Sequence, residues 1–189
     1  MSLMSRVAPA SFTAVRRAPG LVAVLLCLPS IARATTRYIA QTAGTFTGGI
    51  ACNGRTAITP AAFNALTPGP GDVNYLCGTI TIPANTEGLI VNGSGAAGNP
   101  ITIYFDSGAV LQSPYWPGAG SGAAIDTAGN DYVTVDGNGG ANGYTEGVIQ
   151  ATLNGNPGAT CPGGPCQYQN DSVAVQNNGG SNFVLQGLT

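Results

Sequence analysis

The chain has 189 residues, and its six arginines and eight acidic residues give a formal charge of −2 with no histidine. Nucleic-acid binding requires a basic surface, which this composition excludes. The 29 glycines and 13 prolines would suit a disordered chain, but the apolar residues fall in short β-branched runs between Gly, Asn and Asp clusters. Short apolar runs separated by such clusters predict a folded, all-β chain with many tight turns.

The segment 1–34 is predicted to be a secretory signal peptide. Arginines precede the apolar run at 21–28, and small residues stand at the −3 and −1 positions of "ARA", residues 32–34. A run of this length is too short to span a bilayer, so a membrane anchor is the weaker alternative, and no other segment is long enough. We therefore expect a secreted or periplasmic protein with no membrane span. Beyond the leader the sequence has eight acidic residues and only two cations, Arg37 and Arg55, which gives a formal charge of −6.

Residues 35–75 are predicted to form an N-terminal lead-in and cap region. The stretch "TPAAFNAL", residues 59–66, carries a helical signal. Thr59 can cap the helix, Pro60 suits its first position, and Phe63 and Leu66 contribute to an apolar stripe. So short a helix must pack its apolar side on another element. Residues 76–189 then predict strands separated by turns.

Four cysteines follow the leader, and an even number in an exported chain favours disulfides over a metal site. Three connectivities are open. The short loop "CPGGPC" favours Cys161–Cys166, which leaves Cys52–Cys77 for the N-terminal region. A thiol-redox role for Cys161 and Cys166 is disfavoured because their spacing is not C-x-x-C. We therefore predict two structural disulfides and no metal ligands.

An internal repeat relates residues 124–137 to residues 174–187 without gaps, at an offset of 50. Periods of roughly 20–50 residues built from short strands are typical of solenoids, and we interpret this offset as two coils of about 25 residues. A β-sandwich or jelly roll is the alternative. Pleat alternation puts Val133 and Val135 on the core face and Asp136 on the outer face.

Three stretches, "PGDVNYLCGTITI", "GSGAAGNPITIYFDSGAVL" followed by "SPYW", and "AIDTAGNDYVTVDG", resemble secreted bacterial proteins of the pectate-lyase-like superfamily. The resemblance covers most of residues 36–189. It implies a right-handed parallel β-helix, with the helix at 59–66 capping its N-terminal end and a polysaccharide-facing groove along one sheet. Terminal repeats of solenoids need a polar cap, and none follows "LQGLT". We therefore expect an N-terminal portion of such a protein, with an incomplete solenoid at 76–189.

The superfamily contains polysaccharide lyases, glycoside hydrolases and non-enzymatic surface proteins, so the resemblance leaves the activity open. Uronate lyases of this fold use a basic residue, and none follows Arg55, so we assign no lyase residue. Asp136 and Glu146 are the groove candidates for a two-carboxylate hydrolase, with Glu146 or Gln150 as the coil neighbour of Asp136. The competing interpretation makes the aspartates at 126–136 corner residues that bond their own backbone.

Aromatic residues suggest where a sugar would bind. Tyr115 and Trp116 in the loop "PYWPG", and secondarily Tyr132, are candidates for stacking on sugar rings, with packing against the coil as the alternative. A calcium site at 136–146 is weaker than a solvated turn because the stretch fails the EF-hand pattern, so we predict no cofactor. Two functions follow: a monomeric extracellular protein that acts on or binds polysaccharide, or a non-enzymatic cell-surface or adhesin-type solenoid.

Overall fold

The computed structural model describes residues 33–137, 147–154, 160–161, 164–165 and 172–189, which fall within one compact unit, Ala32–Thr189. The predicted signal peptide up to residue 32, Glu146 and Cys166 lie outside the described residues. Short strands dominate this part of the chain, together with one helix. In chain order the elements are β1 (Thr36–Ile39), β2 (Gly44–Thr45), β3 (Thr56–Ala57), α1 (Pro60–Asn64), β4 (Val73–Leu76), β5 (Thr79–Thr81), β6 (Leu89–Ile90), β7 (Ile101–Phe105), β8 (Val110–Ser113), β9 (Ile125–Asp126), β10 (Val133–Asp136), β11 (Val148–Ala151), β12 (Thr160–Cys161), β13 (Gly164–Pro165), β14 (Val175–Gln176) and β15 (Val184–Gln186).

Most of these strands belong to three parallel sheets. The largest has the order β1-β4-β7-β10-β15, the second β5-β8-β11, and the third β6-β9-β14. The chain visits the sheets in turn, through β4, β5 and β6, then β7, β8 and β9, then β10, β11 and β14. Each circuit, here called a coil, therefore stacks on the one before. The arrangement confirms an all-β chain of stacked parallel strands and is consistent with a parallel β-helix.

The hydrophobic core lies where the inward positions of successive coils meet. Ile103 and Val135 share a register position in the largest sheet, and both are fully buried. Ile80 and Leu111 do the same in the second sheet. Val133 is also fully buried, so the predicted core positions are confirmed. Each coil thus removes apolar surface of its neighbour from water, which is the main stabilising contribution in a stacked fold.

The coils differ in length, which corrects the predicted period. In the largest sheet Thr36 pairs with Val73, Val73 with Thr102, Thr102 with Thr134, and Thr134 with Val184. The sequence distance between register partners therefore changes from each coil to the next and is largest for the last pair. Because Thr134 and Val184 are directly paired, the offset between the two copies of the repeat separates adjacent strands. The prediction of two shorter coils within that offset is wrong, and the additional residues lie between β10 and β14.

Helix α1 follows the predicted signals. Thr59 is its N-cap, and the Thr59 hydroxyl accepts a hydrogen bond from the Ala62 N–H at 3.1 Å. The helix begins at Pro60, as predicted, and ends at Asn64, earlier than predicted. The fully buried Phe63 packs into the core of the stacked coils. So short a helix could not stand alone in water, so this contact holds it in place.

Side-chain amides close two of the sheets at their N-terminal edge. The Asn64 amide donates to a carbonyl just before β6 and accepts from the Ile90 N–H, both at 2.9 Å. The Gln41 amide oxygen accepts from the Thr81 N–H of β5 at 2.6 Å. Strand β1 is paired on its outer side with the backbone of Ile58. All three sheets therefore have backbone groups of their first strand satisfied at this end.

A partly buried ion pair lies beside the first strand. The Arg37 guanidinium donates to the Asp72 carboxylate at 2.7 Å and to the Asn74 amide oxygen at 3.5 Å. The Thr35 and Gly69 N–H groups also donate to Asp72, at 2.7 and 2.9 Å. Burial raises the pKa of Asp72, but these hydrogen bonds and the Arg37 charge outweigh it, so the net pKa is lowered. The first coil thus begins with a paired charge.

The segment before β3 is held by a carboxylate and a disulfide. Asp106, 1% exposed, accepts backbone hydrogen bonds from Ile50 at 3.0 Å, from Ala51 at 3.0 Å and from Cys52 at 2.9 Å. Cys52 is also bonded to Cys77, as predicted. The two attachments fix the same short segment to successive coils, one through a charge and the other covalently.

The second predicted disulfide stays a prediction. Strand β12, which ends at Cys161, pairs antiparallel with β13, Gly164–Pro165. Cys166 lies outside the described residues. The described strands on either side of residues 162–163 thus run antiparallel.

An apolar cavity of about 480 Å³ opens beside the last described strands. Ile149, Val175, Leu185 and Leu188 line it together with neighbouring residues. Leu185 is 49% exposed, although its register partner Val135 is fully buried. The inward positions of the stack are thus less covered here than in the preceding coils.

Candidate functional site

A column of tyrosines runs along the outer face of the largest sheet. Tyr38, Tyr75 and Tyr104 occupy one register position in β1, β4 and β7. The rings are stacked, with centroids 5.7 Å apart between Tyr38 and Tyr75 and 5.4 Å apart between Tyr75 and Tyr104. The same register position continues with Asp136 in β10 and Gln186 in β15. We call these five residues the tyrosine column.

The column carries opposite charges towards its two ends. The Arg55 guanidinium lies 5.7 Å from the centre of the Tyr38 ring, within the range of a cation–π contact. Asp136, only 6% exposed, accepts a hydrogen bond of 2.8 Å from the Gln186 amide. Burial raises the pKa of Tyr104, and the negative charge of Asp136 raises it further. The Tyr104 hydroxyl therefore stays protonated at neutral pH, where it can donate a hydrogen bond but is a poor base.

A second column lies beside the first on the same face, two positions away in each strand. It consists of Thr36, Val73, Thr102, Thr134 and Val184. Such β-branched residues favour strands. Together the two columns make a strip of hydroxyl, apolar and aromatic groups that runs across the strands.

Asp136 lies on the predicted face, but one of its two predicted neighbours, Gln150, lies elsewhere. Its register partners are Tyr104 and Gln186. Gln150 belongs to β11 of the second sheet, where its amide donates to Gln112 at 2.7 Å, so its assignment as the coil neighbour of Asp136 is wrong. Glu146 lies outside the described residues, so its role stays a prediction. The alternation that separates the two faces of β10 is therefore right, and only the assignment of Gln150 as the partner of Asp136 is wrong.

The three aromatic candidates lie apart from the column. Tyr132 has φ +53 and precedes the first residue of β10, so it does not continue the strand pleat. Tyr115 and Trp116 are 6% and 2% exposed. This burial favours the packing interpretation over a sugar platform at these two rings. Within the described part of the chain, the Trp116 Nε1–H has no hydrogen-bond partner.

The aspartates at the corners mostly serve the scaffold, as the competing interpretation proposed. Asp126 accepts from the backbone N–H of Ala128 at 2.7 Å, within its own turn. Asp131 instead accepts from the Ser181 N–H of the next coil, at 2.6 Å. That second contact differs from the expected local bond, because the coil above is close enough to supply the donor. Hydrogen bonds at these corners therefore tie one coil to the next.

A pair of acids at the third sheet was not predicted. Burial raises the pKa of Glu87, and the neighbouring Asp126 carboxylate raises it further. The Asn178 amide donates to both Asp126 oxygens at 3.2 Å. The two acids are far apart in sequence and belong to no shared motif. Only the stacking of one coil on another brings them together.

The described residues contain no group of three or more His, Cys, Asp or Glu side chains placed to hold a metal ion. Nor does any helix in the described part have the length and hydrophobicity needed to cross a membrane. No protein-family model matches this chain, and comparisons with curated proteins and with solved structures find no match either. Function must therefore be inferred from the site alone.

Proposed function

We propose that this chain is an exported, right-handed parallel β-helix that binds polysaccharide along the outer face of its largest sheet. Strand–crossover–strand connections between parallel strands are right-handed in about 98% of cases, which supports the handedness. The Cys52–Cys77 disulfide supports an oxidising compartment outside the cytoplasm. The pectate-lyase-like relationship, a monomeric state and independence from calcium belong to the same proposal.

The observation that carries this proposal is the tyrosine column. Successive coils place one side chain every ~4.8 Å across the strands, so the column is a straight row of ring edges and polar groups. A straight, repeated row suits an extended polymer better than a compact metabolite. Tyrosine combines an apolar body with a hydroxyl, a combination that suits the mixed CH and OH surface of a sugar.

Binding is a better proposal than catalysis. A two-carboxylate hydrolase needs its acids about 5–9.5 Å apart across one bond, with one of them proton-bearing. The acid with the raised pKa, Glu87, follows the second sheet and pairs with Asp126 of the third, whereas Asp136 belongs to the largest sheet. Asp136 is in turn occupied by the Gln186 amide. Among the described residues, Asp136 thus has no acid with a raised pKa beside it on its own sheet.

One observation favours the second function, a non-enzymatic surface or adhesin-type solenoid. Stacked rings cover one another's faces, so Tyr75 has a neighbouring ring both before and after it in the column. A sugar would therefore meet ring edges and hydroxyls rather than open ring faces. In a purely structural solenoid the same stacking would serve only to hold the coils in register.

Hydroxyl removal separates the two functions. We expect Tyr104→Phe to weaken binding to a recognised polysaccharide by about 2- to 10-fold, the value of one hydrogen bond. Tyr132→Phe removes the same atom outside the column and should leave binding unchanged. Binding would be screened against a panel of insoluble and soluble plant and microbial polysaccharides, and affinities measured by calorimetry.

Thermal unfolding of both variants checks that each is folded. If no polysaccharide in the panel binds, the structural solenoid is the better function. Weaker binding by Tyr132→Phe, with Tyr104→Phe unchanged, would move the site from the sheet to the corner before β10.

A further inference from the structure

Resting on the proposed function, we infer that the tyrosine column selects uncharged polysaccharides and rejects polyuronates. The inference concerns the charges that a bound polymer would meet along the sheet. A polyuronate carries a carboxylate on every sugar, whereas a neutral glycan carries none. The two therefore differ mainly in their response to the fixed charges of the column.

Few positive charges are available to a bound carboxylate. Beyond residue 34 the sequence has only Arg37 and Arg55 as cations, without lysine or histidine. Arg37 is held by Asp72 at 2.7 Å, so its charge is compensated. Arg55 lies over Tyr38, at the first strand of the column. A polymer that runs along the later strands thus moves away from the one cation that adjoins the column in the described structure.

The later strands carry a negative charge instead. Asp136 is in register with Tyr104, and because it is only 6% exposed its charge is screened less by water and salt than that of an exposed carboxylate. The Gln186 amide donates a hydrogen bond of 2.8 Å to this carboxylate. Each uronate carboxylate passing Tyr104 would meet a like charge, while a neutral sugar would meet only hydrogen-bonding groups.

The formal charge of −6 beyond the leader acts in the same direction. Long-range repulsion slows the approach of a polyanion to an acidic protein at low salt. Repulsion by the net charge and repulsion by Asp136 can be separated by their salt dependence. High salt screens the repulsion by the net charge, whereas the repulsion by a buried carboxylate persists.

The test uses two polymer backbones, each in a neutral and an anionic form. These are hydroxyethyl cellulose against carboxymethyl cellulose, and methyl-esterified galacturonan against de-esterified polygalacturonate, all with a chelator present to remove calcium. We expect the intact chain to bind the neutral member of a recognised pair at least about 10-fold more tightly at physiological salt. Asp136→Asn should reduce the ratio of the two affinities, neutral over anionic, at least about 3-fold.

Glu87→Gln is the matched control, because it removes one carboxylate between β5 and β6, away from the largest sheet, and should leave the ratio unchanged. Equal or tighter binding of the anionic form overturns the inference but leaves polysaccharide binding standing. Equal narrowing by both variants also overturns it, since net charge alone would then explain the selectivity. If no neutral or anionic polymer binds, the proposed function fails first.

Discussion

Replacing Asp106 with Asn tests the contact that holds the N-terminal lead-in segment to the coils. One Asp106 oxygen accepts from Ala51 and the other from Cys52, while Ile50 donates to both. An asparagine can present its oxygen to only one side, so its NH₂ group would face a backbone N–H on the other. One acceptor is lost, and the remaining hydrogen bonds lose the help of the negative charge.

The cost can be estimated from these contacts. Hydrogen bonds to charged groups contribute about 1.5–3 kcal/mol, and neutral ones about 0.5–1.5 kcal/mol. Losing one bond and weakening the others should lower the free energy of unfolding by about 2–3 kcal/mol. That is a large part of the roughly 5–15 kcal/mol expected for a domain.

Urea unfolding followed by the fluorescence of Trp116 would measure this change, because that side chain is buried in the native state. Asp131→Asn is the control: its carboxylate also accepts a backbone N–H, but at an exposed corner, so the change should be within about 0.5 kcal/mol. A loss below about 1 kcal/mol for Asp106→Asn, or equal losses for both variants, would refute the reasoning.

Three further results are expected. Reducing the Cys52–Cys77 disulfide, which closes a 25-residue separation, should cost about 3.5 kcal/mol by the chain-entropy model, measured by urea unfolding with and without dithiothreitol; an unchanged midpoint would contradict this. Because the folded-state pKa of Asp72 is lowered, ionised Asp72 stabilises the fold at pH values above its unfolded pKa near 3.9. This stabilisation is lost as pH falls through the folded pKa. Asp72→Asn should therefore flatten the fall of Tm on acidification. The pKa of Glu87 is raised, so its effect on stability has the opposite pH dependence: the fold loses stability as pH rises from the unfolded pKa of about 4.3. Glu87→Gln should therefore raise Tm at neutral pH but not at pH 3. Equal shifts of Tm at both pH values would count against a close pair of Glu87 and Asp126.

The backbone of the coils gives a sharper test through glycine. A Cβ on Gly88 would overlap the carbonyl oxygen of Ala124 in the next coil, whereas a Cβ on Gly69 would meet nothing within 4 Å. Neither residue has a left-handed φ, so the two substitutions differ only in space. We expect Gly88→Ala to lower Tm severely and Gly69→Ala to be tolerated. Similar Tm values for the two variants would show that the coils can separate at little cost.

The local part of the fold was predictable because its signals lie within a few residues. Thr59 and Pro60 define the start of α1 through capping, which depends only on neighbouring atoms. Val133 and Val135 reveal the core face because the pleat repeats at every second position. These predictions needed no knowledge of which coil lies next to which.

Contacts between coils could not be predicted in the same way. Tyr38, Tyr75 and Tyr104 form one column, yet their separations in sequence are unequal, so no fixed period reveals them. Corners of unequal length set those separations, and nothing local in the sequence fixes how long a corner is. The pairing of Glu87 with Asp126 was missed for the same reason. The secondary structure could be predicted from this single sequence, but the register between coils could not.

The closed N-terminal edge sets a direction for any assembly of this protein. An incoming strand at that edge would have to displace the amides of Asn64 and Gln41, each already bonded to the first strand of a sheet, and the backbone of Ile58. The contacts that fix the first coil therefore also prevent another strand from pairing at this edge. Filaments of copies joined head to tail through continuous sheets would have to break them at every junction, so polymerisation by strand addition is blocked at this edge.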